Sequence, residues 1–200
     1  LTVYVENAIS LPAVDAYVSA YASNGIKIGD AWTGEDGYAY LDVPPSSYTT
    51  LYAQSRNDHF LITQSAVASP GATSMSAVGT PQVTLTAIKR DGAPLGYALL
   101  IVGSSAGSVQ LRWNLGETNI DGGMVFNVSP GFYDLGVVDW TDRYFLYTLD
   151  QDFTDPASTV LFDTYTGPSA EIVVAHPDVS VSLLGLFPAN GYNGFAFSNL

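Results

Sequence analysis

Apolar and polar residues alternate along this chain in short runs. Residues 1–5 read Leu-Thr-Val-Tyr-Val, which places Leu1, Val3 and Val5 on one side. A period of two is the mark of a half-buried strand. Similar runs follow at 14–22, 26–32, 38–43, 48–54 and 60–66. Between them stand Pro12, Asn24-Gly25, Asp36-Gly37, Pro44-Pro45 and Pro70-Gly71. These dipeptides make turns, because glycine takes positive φ without steric cost and proline fixes φ and removes a donor. No segment carries a helical period. Short strands with turn residues every 8–12 positions or so predict an all-β sandwich or barrel.

The pattern then returns. Thr118, Asp121, Gly122, Val128, Pro130 and Tyr133 answer Thr33, Asp36, Gly37, Val43, Pro45 and Tyr48 at one constant offset. Phe145, Leu146 and Thr148 answer Phe60, Leu61 and Thr63 at the same offset. Pro94 answers Pro12 at an offset three residues shorter, so the second copy carries three more residues before its Thr118. A further stretch begins at Ile172 and ends Gly194-Phe195-Ala196-Phe197-Ser198-Asn199-Leu200, echoing Gly37-Tyr38-Ala39-Tyr40-Leu41-Asp42-Val43. A fixed period points to repeated units. The expected organisation is a first β-sandwich module at 1–80, a second at 81–167, and C-terminal strands at 168–200 that form a partial third repeat or a donor strand.

The repeated motif resembles the carboxypeptidase-regulatory-like, or transthyretin-like, β-sandwich family. The resemblance lies in Leu11-Pro12 and Ala93-Pro94, in Thr33–Gly37 and Thr118–Gly122, and in Pro130-Gly131-Phe132-Tyr133 with its degraded twin Pro45-Ser46-Ser47-Tyr48. It implies tandem Ig-like sandwiches. It also implies an accessory, adhesive or structural role in a secreted protein, which a fold by itself does not decide.

Composition narrows the partners. Charged residues are 12% of the chain, with 19 acidic against 6 basic and a net charge of −13. Nucleic-acid binding needs Lys and Arg to neutralise phosphates, so this balance argues against it. It argues equally against anionic membrane surfaces. No apolar run approaches the roughly 20 residues of a membrane helix. Hydrophobic residues are 47%, enough for real cores. Cysteine is absent, which removes disulfides and thiolate chemistry. The start at Leu1, with neither Met nor a basic segment before the first strand, reads as a processed chain or an excised piece.

Candidate chemistry is thin. Gly103-Ser104-Ser105-Ala106-Gly107 matches a nucleophile elbow, with His176 as base and Asp139 or Asp142 as acid in the right order. An elbow must open a helix, yet 109–115 reads as a strand, so a β-turn is expected and no catalytic residue is assigned. Asp150, Asp152 and Asp155 concentrate carboxylates in an expected loop and are the candidate calcium ligands. They lack the central glycine and terminal glutamate of an EF-hand. His59 and His176 have no partner at ligand spacing. Asn127-Val128-Ser129 is the one glycosylation sequon, with Asn127 as acceptor. Lys89 stands where related adhesin repeats place a crosslinking lysine, without a counterpart in the first copy. Thirteen Tyr, nine Phe and three Trp leave room for sugar stacking at Trp32, Trp113 or Trp140, or simply for packed sheet faces.

The expected function is a non-enzymatic extracellular structural protein, secreted or held at the cell surface. It is read as a self-associating subunit of a filament or layer built by β-strand complementation. An adhesive or carbohydrate-binding module of a larger secreted protein stays open beside it.

Overall fold

The computed structural model describes residues 1–163 apart from 46–47, 90–91, 107–108 and 140–143. The expected C-terminal strands at 168–200, and with them Asp142, Trp140 and His176, lie outside the described residues. Those residues hold fourteen strands and no helix. The chain is all-β.

The first half carries β1 (Thr2–Glu6), β2 (Tyr17–Tyr21), β3 (Lys27–Trp32), β4 (Tyr38–Tyr40), β5 (Tyr48–Ser55), β6 (Phe60–Ala68) and β7 (Ala72–Ser76). The second carries β8 (Gln82–Ile88), β9 (Leu99–Ala106), β10 (Val109–Glu117), β11 (Gly123–Val128), β12 (Phe132–Asp139), β13 (Tyr144–Asp152) and β14 (Ala157–Asp163). Pairing repeats between them. β1 is antiparallel to β4 and parallel to β7. β8 is antiparallel to β11 and parallel to β14. The order β3-β2-β5-β6 recurs as β10-β9-β12-β13.

Strand alternation builds two cores. One gathers Val3 and Val5 of β1, Val18 and Ala20 of β2, Leu51 and Ala53 of β5, and Phe60 and Ile62 of β6. The other gathers Val83, Leu85 and Ala87 of β8, Leu100 and Val102 of β9, Trp113, Phe126, Leu135, Val137 and Phe153. Each fully buried large side chain contributes roughly 1.5–3 kcal/mol of burial.

The halves are not separate beads. A seven-stranded sheet runs β14-β8-β11-β6-β5-β2-β3 through both. At its middle β11 lies parallel to β6, with Asn127 opposite Phe60 and Val128 opposite Leu61. Around this junction the sheet is buried on both faces. Leu51, Ala53, Phe60 and Ile62 turn to the first core, while Tyr52 and Leu61 turn to the second.

Two strands escape the sequence pattern. β7 has a single buried apolar residue, Met75, among small and polar neighbours. Parallel pairing with β1, not its own periodicity, makes it a strand. β13 and β14 likewise replace the expected acidic loop, and Asp150 and Asp152 belong to β13. Asp150 takes φ 51°, as does Ala66 of β6 with φ 59°, so the irregularity that looked like a loop is a kink repeated in both halves.

The pairing also moves one equivalence. Val18 pairs with Ala53, and Leu100 pairs with Val137. Counting from there, Tyr48 answers Phe132 rather than Tyr133, and Phe60 answers Tyr144 rather than Phe145. The turn before β12 is one residue shorter than the turn before β5. Exposure agrees, since Tyr48 and Phe132 are 73% and 62% exposed and Tyr133 is buried.

Candidate functional site

The turn shared by the halves is built from a buried threonine and a glycine. Thr33 Oγ1 donates to the Ala13 carbonyl at 2.5 Å and accepts from the Ala16 N–H at 2.8 Å. Thr118 Oγ1 donates to the Leu95 carbonyl at 2.8 Å and accepts from the Ala98 N–H at 2.9 Å. Both threonines are 2% exposed. Each closes the loop between the first two strands of its half. Gly37 and Gly122 follow at φ +77° and +72°. A Cβ on Gly37 would lie 2.9 Å from the Val5 carbonyl oxygen, and one on Gly122 would lie closer still to that of Ala87. Val5 N–H donates to the Gly37 carbonyl and Ala87 N–H to that of Gly122, both at 2.9 Å. The glycine thus lets a turn press directly against the first strand.

The most elaborate contact is the junction. Asn127 N–H donates to the His59 carbonyl at 2.9 Å, and Ser129 N–H to that of Leu61 at 3.0 Å. Thr63 N–H donates to Ser129 Oγ at 2.7 Å. The connecting segment is held as well, because Val128 N–H donates to the Pro81 carbonyl at 3.0 Å. His59 Nδ1 lies 2.8 Å from the Leu115 carbonyl, so that nitrogen carries the proton. Gly116 admits the imidazole, since a Cβ there would sit 2.8 Å from its Cε1. Tyr52 stacks on Trp113 with centroids 4.7 Å apart, and Tyr21 meets Tyr52 edge-on at 5.5 Å. Tyr133 donates to the Ser129 carbonyl at 2.9 Å, and burial pushes its phenol up to about 12. Burial raises the Tyr52 phenol too. Both phenols therefore stay neutral and hold position.

The predicted site residues fall elsewhere. Asp150, Asp152 and Asp155 succeed one another along the end of β13 and the turn after it. Asp152 Oδ1 accepts from the Thr154 N–H at 3.0 Å and its hydroxyl at 2.7 Å. No three His, Asp or Glu side chains among the described residues gather to hold a metal ion. Asn127 sits inside the junction, and its Nδ2 donates to the Thr80 carbonyl at 3.3 Å; a glycan there would displace that bond. Ser105 lies within β9, its backbone opposite Gln110 of β10, so Gly103–Ala106 is strand rather than the opening of a helix that an elbow needs, and Gly107 lies outside the described residues. Asp139 is buried at the end of β12. Lys89 follows β8, and its N–H donates to the Ala93 carbonyl. Trp113 is buried at the junction, whereas Trp32 is 60% exposed. Trp32 leans on Tyr17 at 4.9 Å, beside a Lys27–Asp30 ion pair of 2.5 Å. The Tyr17 hydroxyl hydrogen-bonds Asp30, and Lys27 hydrogen-bonds Tyr17 at 3.1 Å. Lys27 and Tyr17 hold the Asp30 carboxyl below its usual range.

Sequence reasoning missed the junction. Its trace is Leu51-Tyr52-Ala53, three apolar residues in succession where a half-buried strand would alternate. Such a run marks a strand covered on both faces.

No protein-family model matches the chain, and no curated protein matches its sequence. Solved structures resemble it weakly. The minor pilin GBS52 of Streptococcus agalactiae aligns at 12% identity and TM-score 0.32, over 89% of this chain and 97% of that one. The shaft pilin SpaA of Lactobacillus rhamnosus GG aligns at 13% and 0.31, over 80% and 94%. The Bacillus anthracis TIE protein aligns at 11% and 0.29, and there the chain spans 32% of its length. Likenesses of this degree carry no argument about function.

Proposed function

We propose that this chain is a non-enzymatic structural protein, exported from the cell, whose duplicated β-sandwich units serve as a subunit of a surface filament or layer. The supporting observation is the shared seven-stranded sheet. β11 of one half lies against the start of β6 of the other, which supports a reading in which units associate by strand addition. Open edges at the ends of such a series invite the same addition from a neighbouring copy. The pilin likenesses add nothing to this reading at their TM-scores. Light scattering and negative-stain electron microscopy of the purified chain test it: concentration-dependent oligomers or filaments are expected. A monodisperse species of 21.2 kDa at every concentration would sink it.

One observation favours a second reading, a carbohydrate-binding module. The exposed Trp32, leaning on the half-buried Tyr17 next to Lys27 and Asp30, offers a ring face flanked by polar groups. Binding on a glycan array that Trp32→Ala abolishes would favour it over assembly.

A further inference from the structure

We propose that the outer face of the first half holds a neutral oligosaccharide, with one sugar ring against Trp32 and one sugar hydroxyl between Ser19 and Gln54. This rests on the carbohydrate reading of the same face. It adds the two residues that recognise a hydroxyl there.

The first step is a pair of buried oxygens without partners. Ser19 of β2 is 0% exposed, and its Oγ makes no hydrogen bond. Gln54 of β5 keeps its Oε1 buried and equally unpaired. A buried polar atom left in this state costs stability. The two residues are neighbours. Ser19 pairs with Tyr52, and Tyr17 with Gln54, so Ser19 and Gln54 stand diagonally across β2 and β5 on one face. Such neighbours are roughly 7–8 Å apart at the backbone, and somewhat less between side chains. One hydroxyl between them accepts from the Ser19 hydroxyl and donates to Gln54 Oε1.

The second step is that folding does not ask for these oxygens. Leu100 and Val137 pair in the second half as Val18 and Ala53 pair in the first. Ile101 and Val138 therefore take the places of Ser19 and Gln54. The second sandwich closes with apolar side chains at both positions. The first keeps two polar ones that its own structure leaves unpaired.

The third step is the class of ligand. The exposed Trp32, then Tyr17, then Gln54 follow one another across β3, β2 and β5. Two strand spacings, roughly 9–10 Å, separate the indole from the amide. A ligand that covers Trp32 and reaches Gln54 is therefore longer than one sugar ring. Lys27 and Asp30 neutralise each other beside this row. Tyr21 and Tyr52, on the far side of Ser19, carry no charge. Apolar C–H faces, hydroxyls and no net charge are what such a surface matches. The Tyr17 hydroxyl donates to Asp30, the residue opposite Ser19, and so bars the approach from β3. That bond lies at the surface, where a turn of Tyr17 to another rotamer opens the way.

The full chain on an array of neutral oligosaccharides, followed by calorimetric titration of the best-bound member, tests this. Ser19→Ala and Gln54→Met should each weaken binding about tenfold. Ser19→Ala should also raise the melting temperature by about 2–4 °C, because it deletes an unpaired buried oxygen. A gain in stability with a loss of affinity marks a group kept for a ligand. Wild-type affinity in both variants overturns the proposal. So does a lower melting temperature in Ser19→Ala, which would mean that a buried water already satisfies the hydroxyl. So does an equal loss of affinity in Tyr40→Ala, since Tyr40 is exposed on β4 of the opposite sheet. Binding lost in Trp32→Ala and kept in both polar variants sinks this inference and spares the carbohydrate reading. Wild type that binds no member of the array sinks both.

Discussion

The two halves agree inside and diverge outside. Thr33 and Thr118 make the same pair of buried hydrogen bonds, and Gly37 and Gly122 take the same positive φ against the same strand. On the outer face of the four-stranded sheet the correspondence ends: Tyr52 answers Gly136, Gln54 answers Val138, and Ser19 answers Ile101. The shared positions are those a sandwich needs in order to close. The divergent ones include Tyr52, through which the first half meets the second. Closure of each sandwich and contact between the halves are therefore written at different positions of the same strands, and each can be perturbed separately.

The largest effect is expected where association enters a core. Trp113 is buried in the second core and stacks on Tyr52 of the first half. Trp113→Ala should cost about 4 kcal/mol of unfolding free energy, and Tyr52→Ala about 3 kcal/mol. The double variant should cost about 1 kcal/mol less than the sum, because the stacked pair is lost only once. Urea denaturation followed by circular dichroism measures all three. Strict additivity would mean that the halves merely touch, and the contrast between inside and outside would lose its main support.

A smaller pair of effects tests the agreement inside. Gly37→Ala forces a Cβ to 2.9 Å from the Val5 carbonyl oxygen at positive φ. Roughly 1–2 kcal/mol of left-handed strain and about 1–3 kcal/mol of overpacking follow. Gly122→Ala should cost more, since the Ala87 carbonyl oxygen stands closer to its Cβ. Thr33→Val and Thr118→Val each strand a buried N–H and carbonyl, at about 1–3 kcal/mol, and should match one another. A half that tolerates its own substitution while the other does not would show that the common turn is common only in sequence.

Much of this was legible in the chain. Alternation at 1–5 and 60–66 and the Asp-Gly turns predict strands where β1, β6 and the hairpins stand, because period-two burial and positive φ are local properties. The offset between Thr33 and Thr118 was readable for the same reason: a buried hydroxyl and an αL glycine tolerate few substitutes. β7 was not readable, since Met75 alone faces the core and its strand is made by a distant partner. Nor was the one-residue shortening before β12, because Tyr133 and Tyr48 look alike until burial separates them. The junction was the least legible. The carboxylates at 150–155 drew attention by density, yet they line a strand end and a turn. The junction spends ordinary residues, Thr63, Asn127 and Ser129, whose value lies only in the register that brings them together.

The smallest effect sharpens the divergence outside. Asp134 lies on the outer face of β12 at the place of Thr50, buried, with Gly103 beside it. Burial raises its carboxyl above the ordinary 3.8; the Asp150 N–H, which donates to Oδ1 at 3.0 Å, and the nearby Arg112 pull it back only in part. The folded state therefore holds this proton more tightly than the unfolded chain does. Below the unfolded value both states are protonated and the group is neutral to stability; as pH rises from there through the folded value, the folded state must bury a charge and stability falls. Asp134→Asn keeps an acceptor for the Asp150 N–H and removes the titration. Its unfolding free energy should lack this decline, so that wild type loses ground to it as pH rises above the ordinary carboxyl value of 3.8. Parallel pH profiles for the two proteins would show that the face is wet. Thr50→Asp is the mirror experiment. Thr50 is only half-buried, so a carboxylate there should stay near its ordinary range and leave the profile flat. Matching slopes from Asp134 and from Thr50→Asp would mean that the two outer faces are equally dry, and the difference drawn between them would fail at its most sensitive point.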